Sequence, residues 1–267
     1  MSNSLPLPTD VRLMNLAAAL LIAVFVVLTL GGGAWWLLSH PRFAIQSITV
    51  QGEVVRSHAA SFRNHVIPQL SGNFFTLSLT QAQHAFESVP WVREAVVHRV
   101  FPGQLRSVVV EHQPLATWGE EGSNFMVNEQ GQVFEAPVED IDIEKLPRML
   151  GPEGSSVMVT KMYRVMGPLF GVLDFKLEKI ELTARGSWRV WTDSGALVEL
   201  GRGSESELIE RTQLLLRTLP QVTARYSRTP MALLGADLRH KDGYAVRLRG
   251  VSTLEDGDKK SSDGSRR

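Results

Sequence analysis

The sequence contains no cysteine and no surplus of either charge: 28 lysines and arginines meet 28 aspartates and glutamates in 267 residues. Without thiols, a disulfide scaffold and any Cys-based metal site are excluded. Without a basic surplus, so is a polybasic nucleic-acid surface, and without a large net charge, charge-driven disorder of the whole chain. Chemical motifs are equally scarce. The seven histidines (His40, His58, His65, His84, His98, His112 and His240) are scattered, and no pair has the spacing that would hold zinc on one helix face. There is no G-x-S-x-G elbow and no phosphate-cradling loop, since Gly201-Arg-Gly203-Ser lacks the third glycine and the lysine such a loop needs. The acidic group Glu135, Glu139, Asp140, Asp142 and Glu144 matches no EF-hand spacing and reads as a solvated loop. No catalytic residue, metal, cofactor or small-molecule substrate is therefore expected, and no nucleic acid.

What the sequence does have is one long apolar run. No charged residue occurs from Leu13 to Pro41, and Leu16–Leu30 is almost purely aliphatic before Trp35-Trp36. About 20 helical residues cross a bilayer core, and the tryptophan pair falls where an aromatic belt would meet the headgroups. Residues 13–38 are thus expected to be a transmembrane helix that anchors the chain in a lipid bilayer. The alternative is a cleaved signal peptide, with Arg12 as its basic region and Gly32-x-Ala34 before the cut, but the apolar stretch exceeds an h-region and continues past that point. Arg12 before the span and Arg42 and Arg56 after it leave the orientation open.

Residues 1–12, with Pro6 and Pro8, read as a short flexible lead. Residues 252–267 hold one leucine as their only sizeable apolar residue and four charges of each sign, a composition that predicts a disordered tail. Between them, residues 43–112 read as strand, helix, helix, strand, strand. Phe43–Val50 favours a strand; Ser57 offers a cap to a helix running toward Pro68, and Thr80 a cap to one ending before Pro90. Trp91–Phe101 and Leu105–Glu111 flank the turn Pro102-Gly103 as a hairpin.

Residues 113–251 read as short strands and turns: Leu115–Trp118, Phe125–Asn128, Gln132–Phe134, Leu146–Leu150, Lys179–Ala184, Trp188–Thr192, Ala196–Leu200, Ala232–Leu238 and Tyr244–Arg249. Two helices interrupt them. One follows Ser155, presents Met158, Met162, Val165 and Met166, and is expected to kink or end at Gly167-Pro168. The other opens with the capping box Ser204-x-x-Glu207 and is expected to end at Pro220. The methionine stripe at helical spacing predicts core packing rather than a cofactor groove. The class is α+β: a single transmembrane helix, a small β-α-α-β-β domain, then an antiparallel β-sheet domain with helices on one face.

A series of local words runs through this region: Pro90-Trp91-Val92-Arg93-Glu94-Ala95-Val96-Val97, Arg99-Val-Phe101-Pro102-Gly103-x-Leu105, Val110-Glu111-His-x-Pro114-Leu115-Ala116-Thr-Trp118, Val127-Asn128-Glu129-Gln130-Gly131-Gln-Val133-Phe134, Leu146-Pro147 to Gly154, Thr183-Ala184-Arg185-x-Ser187-Trp188, Leu200-Gly201-Arg202-Gly203 and Ala236-Asp237-Leu238-Arg239. In this order, behind a membrane span, they resemble the FtsQ/DivIB family of bacterial cell-division proteins. The resemblance implies that residues 43–112 form a POTRA domain and residues 113–251 the family's β domain. It also implies a single-pass inner-membrane protein with a cytoplasmic N-terminus and a periplasmic bulk. Its role would be that of a non-enzymatic divisome scaffold at the septum that binds FtsB and, through it, FtsL, contacts other division proteins, and regulates septal peptidoglycan synthesis. By position, the FtsB contacts carry over to Arg185, His240, Asp242, Gly243 and Leu248; His240 and Leu248 stand where enterobacterial members have Tyr and Trp. Two other readings compete. A membrane-anchored cell-wall enzyme would need clustered acids or histidines, and a POTRA protein of polypeptide transport or outer-membrane assembly would need serial POTRA units before a barrel.

Overall fold

The structure, a computed structural model, describes residues 9–38, 40–137, 142–240 and 243–252. Most of the leading residues 1–12 and of the expected tail 252–267 therefore lie outside the described residues, as do Glu139, Asp140 and Asp242. The chain divides into two compact units, residues 1–112 and 113–267.

The first unit opens with helix α1 (Thr9–Leu38). Within it, Leu13–Trp36 is 24 residues long and none of its apolar window is buried. At 1.5 Å per residue that length is about 36 Å, enough to cross a ~30 Å hydrocarbon core. Leu16, Leu21, Phe25 and Leu28 are each more than two-thirds exposed, an arrangement untenable in water over so many residues and appropriate to lipid. This helix fits a single-pass membrane anchor.

After a turn of 3-10 helix at Pro41–Phe43, the chain forms β1 (Ser47–Gln51), α2 (Ala59–Val66), α3 (Leu79–Glu87), β2 (Val92–Val100) and β3 (Gln104–Glu111). The sheet order is β1-β3-β2, with β1 parallel to β3 and β2 antiparallel to it. The start of the expected strand at Phe43 is instead the 3-10 turn, which redirects the chain as it leaves the span. Strands β2 and β3 alternate strictly enough to put Ala95, Val97, Leu105 and Val109 inward against Phe62, Val66, Ala82, Ala85 and Phe86 of the two helices. Gly52 closes β1 at φ +127°; a Cβ there would lie 2.1 Å from the Val109 carbonyl oxygen, so only glycine lets the two backbones meet.

Neither expected helix cap is used. Ser78, not Thr80, caps α3 by accepting from the Gln81 N–H, and His58 occupies the cap position of α2 without a side-chain bond. Ser57 is bound elsewhere: its backbone N–H donates to Glu111 Oε1 at 2.7 Å, while the N–H groups of Val55 and Arg56 donate to the same carboxylate at 3.0 and 3.1 Å.

The second unit is a nine-stranded sheet in the order β12-β11-β10-β9-β8-β7-β4-β5-β6. Its strands are β4 (Pro114–Trp118), β5 (Phe125–Asn128), β6 (Val133–Glu135), β7 (Arg148–Leu150), β8 (Leu177–Leu182), β9 (Trp188–Thr192), β10 (Leu197–Gly201), β11 (Leu233–Asp237) and β12 (Ala245–Leu248). The sheet is mixed rather than wholly antiparallel, because β7–β8, β10–β11 and β4–β7 pair in parallel. The physical reason is the crossover. Helix α4 (Ser156–Gly171) lies between β7 and β8, and α5 (Glu205–Ala224) between β10 and β11, so each second strand enters from the same end as the first.

Cross-strand register lines up Trp118, Met149, Ile180, Val190, Val198, Ala236 and Val246 in one row, and the helices cover it with Val159, Met162, Met166, Phe170, Leu208, Leu215 and Leu219. Met158 is exposed and Val159 takes its place inside, so the methionine stripe is a core face shifted by one residue. Both helices also run through the prolines expected to end them. Pro168 and Pro220 each remove one helical donor, but Phe170 beyond the first and Thr223 beyond the second are buried, and that packing carries the helices to Gly171 and Ala224. The Ser204 capping box forms as the sequence predicts.

Candidate partner-binding edge

Strand β12 is the outermost strand of the large sheet, paired among the described residues with β11 alone. Its other backbone edge therefore presents donors and acceptors that a further strand could complete. Side chains alternate along it. Tyr244, Val246 and Leu248 face the helices, with the Tyr244 hydroxyl hydrogen-bonded to Thr218 Oγ1 of α5, while Ala245 and Arg247 are exposed on the opposite face. Arg249 N–H donates to the Ala232 carbonyl at 2.8 Å beyond the strand and closes its far end. The strand is thus fixed on one face and open along one edge.

The register then brings distant words together. Trp188 pairs with both Leu182 and Gly201, Glu199 with Asp237, and Asp237 with Ala245. Consequently the β8–β9 turn, the end of β10 and the β11–β12 connection all lie at one end of the sheet. Arg185 is exposed in that turn, Arg202 is exposed just past β10, and Arg239 and His240 are exposed in that connection. The T-A-R, L-G-R-G and A-D-L-R words, which begin at Thr183, Leu200 and Ala236, converge there.

Local bonds hold this end rigid. Asp237 accepts from Arg239 Nε at 2.9 Å and Nη2 at 2.6 Å, and the Arg239 guanidinium holds the Asp237 carboxyl down at about 2. Arg211 Nη1 donates to the Arg202 carbonyl at 2.8 Å. Gly201, at φ +83°, lies under the Arg239 side chain, where a Cβ would come within 2.9 Å of Arg239 Cγ.

Of the residues carried over from the resemblance, Arg185, His240 and Gly243 gather at this end, and Asp242 lies outside the described residues. Leu248 sits at the opposite end of β12 with its side chain 5% exposed in the core, so it shapes the edge from beneath. Gly243 needs no glycine-only conformation, and a Cβ there meets nothing within 4 Å. Arg185 is three to four strands from the open edge, roughly 14–19 Å at the usual strand spacing. One added strand cannot reach both. Residues not singled out by sequence reasoning are Arg202 and Tyr244; period-2 alternation from Tyr244 to Leu248 is the signal that would have placed the latter on the helix-facing side.

An apolar anchor, a β-α-α-β-β module and a mixed sheet with an open edge define a membrane-anchored protein of the POTRA-plus-β-domain type. Residues 43–112 match the POTRA domain, FtsQ-type, and residues 116–247 match the family described as Cell division protein FtsQ/DivIB, C-terminal. Cell division protein FtsQ of Burkholderia pseudomallei is 38% identical over 251 residues, covering 94% of this chain and 98% of that protein. FtsQ of Thiomonas arsenitoxydans is 36% identical over 92% of this chain and 90% of its own, and FtsQ of Bordetella pertussis 32% identical over 90% and 92%. The chain belongs to the FtsQ/DivIB family of bacterial cell-division proteins.

Proposed function

We propose that the chain is a non-enzymatic scaffold of the division septum, anchored in the inner membrane with its N-terminus cytoplasmic and both folded units periplasmic. Its second unit binds FtsB and, through it, FtsL, linking them to other divisome proteins and so regulating septal peptidoglycan synthesis. The observation that carries this reading is that β12 is an open strand edge whose entrance shares one end of the sheet with Arg185, Arg202 and His240. An FtsB segment would add as a strand along β12, main chain to main chain, with specificity from neighbouring side chains. A second part of the same segment would cross the sheet end to reach Arg185, where a carboxylate would complement the exposed guanidinium groups.

The test is binding of an FtsB periplasmic peptide to the full chain in nanodiscs, read by calorimetry. Gly243→Trp, which the open space around Gly243 accommodates, is expected to abolish strand addition, and Arg185→Glu to weaken binding about tenfold, the ~1.5 kcal/mol of a charge-assisted contact. Unchanged affinity in both variants would remove the site assignment.

A further inference from the structure

The end of the first unit nearest the membrane span carries a cluster that the scaffold function does not use. Phe43 packs edge-on against Phe75 with ring centroids 5.1 Å apart, Phe75 against Phe74 at 5.2 Å, and Phe74 against Phe101 at 6.2 Å. Three loops are tied together here. Phe74 N–H donates to the Phe43 carbonyl and Gln46 N–H to the Gly103 carbonyl, both at 2.8 Å, and the Arg99 guanidinium donates to the Leu77 carbonyl. Only Phe74 is buried; Phe75 is 41% and Phe101 74% exposed. Large aromatic rings this exposed, grouped at one end of a small domain, are an interaction surface rather than leftover core.

The chain itself says what lies against them. Phe43 is five residues beyond the last residue of α1, and residues 41–43 are a 3-10 turn, so the connection spans at most about 13 Å. That short tether keeps the Phe43 ring and the rings stacked on it close to the end of the span, which carries the Trp35-Trp36 pair, with Trp36 packed on His40 at 5.7 Å. Charge agrees. Segments 40–46, 71–78 and 99–106 together contain Arg42, Arg99 and Arg106 and not one carboxylate. The opposite end of the sheet, some 23 Å away along β3, is mixed in charge, with Glu53, Glu94 and Glu111 beside Arg56 and Arg93.

The geometry points to a membrane-docking surface: Phe75 and Phe101 enter the interfacial layer of the leaflet on the side of the folded units, and Arg42 and Arg99 meet anionic lipid phosphates. Aromatic rings favour that layer, and arginine pairs with phosphate through a planar fork of donors. Docking fixes the first unit to the bilayer by two supports, the span and the phenylalanine loops.

The absence of cysteine makes the test direct. Single cysteines are placed in the full chain at Phe101, Phe75, Val55 and Phe25, labelled with a nitroxide, and the purified protein is reconstituted in phosphatidylethanolamine/phosphatidylglycerol vesicles. Collision with oxygen and with a water-soluble nickel chelate is then measured by power saturation. Phe25→Cys calibrates the acyl region, and Val55→Cys, 74% exposed at the far end of the domain, calibrates water. Phe101→Cys and Phe75→Cys are expected to show nickel collision several-fold below position 55 and oxygen collision above it. Arg42→Glu combined with Phe101→Cys is expected to restore part of the nickel access. Position 25 in lipid with positions 75 and 101 as wet as position 55 overturns the docking surface; position 25 in water would instead overturn the span. Burial of positions 75 and 101 only after another membrane protein is added assigns the surface to a protein partner and also overturns the proposal.

Discussion

At the end of β3 in the first unit a glutamate and a histidine sit side by side, 4% and 9% exposed, whereas every polar side chain buried in the second unit, among the described residues, is a threonine or an asparagine. The difference follows from size. A three-stranded sheet with two short helices cannot bury enough apolar surface to fix its long 52–58 loop, so it uses one carboxylate to collect three backbone donors. The nine-stranded sheet under α4 and α5 has core to spare, and its buried threonines satisfy themselves: Thr212 and Thr223 donate to Leu208 and Leu219 one turn back, at 2.8 and 3.0 Å. The first unit adds a buried charge to its small apolar core, and the second relies on packing.

The largest effect that tests this contrast is Phe170→Ala, which empties the centre of the second unit and is expected to cost about 3–5 kcal/mol. Hydrogen exchange should show lost protection in β8–β10 and α5 with β1–β3 unchanged; a matching loss in the first unit would mean the two share one stability.

Next is Glu111→Gln, expected to cost about 1–3 kcal/mol in the first unit alone, because an amide nitrogen then faces backbone donors. Acid should act at the same place. Burial pushes the Glu111 carboxyl up, but hydrogen bonds from Ser57, Arg56 and Val55 more than reverse this and leave it below its ordinary 4.5. Its stabilisation is therefore full above that value and lost as pH falls through the lowered one. Burial, with Arg93 nearby, lowers His112 from 6.5 to about 4, so the folded state keeps it neutral while the unfolded chain takes up a proton. That contribution is full above pH 6.5 and declines from there toward 4. Acidification should thus unfold the first unit before the second, observed as early loss of protection in β1–β3. Glu111→Gln should remove the lower part of that dependence and leave the part due to His112.

Local patterns in the sequence located nearly every strand and helix here, because alternation in β2, β3 and β8–β10 and the Ser204 capping box are written in neighbouring residues. What they could not show were pairings across the chain. The parallel contacts of β7 with β8 and β10 with β11 depend on how α4 and α5 cross the sheet. Ser57, a plausible cap by position, is drawn instead to Glu111, 54 residues away. Pro168 and Pro220 look like stops until the buried residues beyond them are known. The candidate edge was legible in part: the ordered words pointed to its residues, but only the register shows that three of those words meet at one end of the sheet.

A smaller effect is expected at the helix cap that local pattern did predict. Ser204→Ala removes the acceptor for the Glu207 N–H and should cost about 1 kcal/mol, lowering the thermal midpoint of the second unit by a few degrees.

The smallest effect on stability is expected at the position proposed to matter most for binding. Within β12 and its approach, Leu248→Ala deletes a core side chain and should cost about 2–3 kcal/mol, so any loss of partner binding it causes is confounded with loosening of the edge itself. Gly243→Trp places a large group where a Cβ meets nothing within 4 Å and the backbone has no left-handed requirement, so folding should change by less than about 0.5 kcal/mol. The pair separates an edge that is present from one that is accessible. If Gly243→Trp unfolds the second unit as Leu248→Ala does, the β11–β12 connection belongs to the fold rather than to its partner. If it leaves the thermal midpoint in place and still blocks FtsB, the open edge, not the core beneath it, is what the partner recognises.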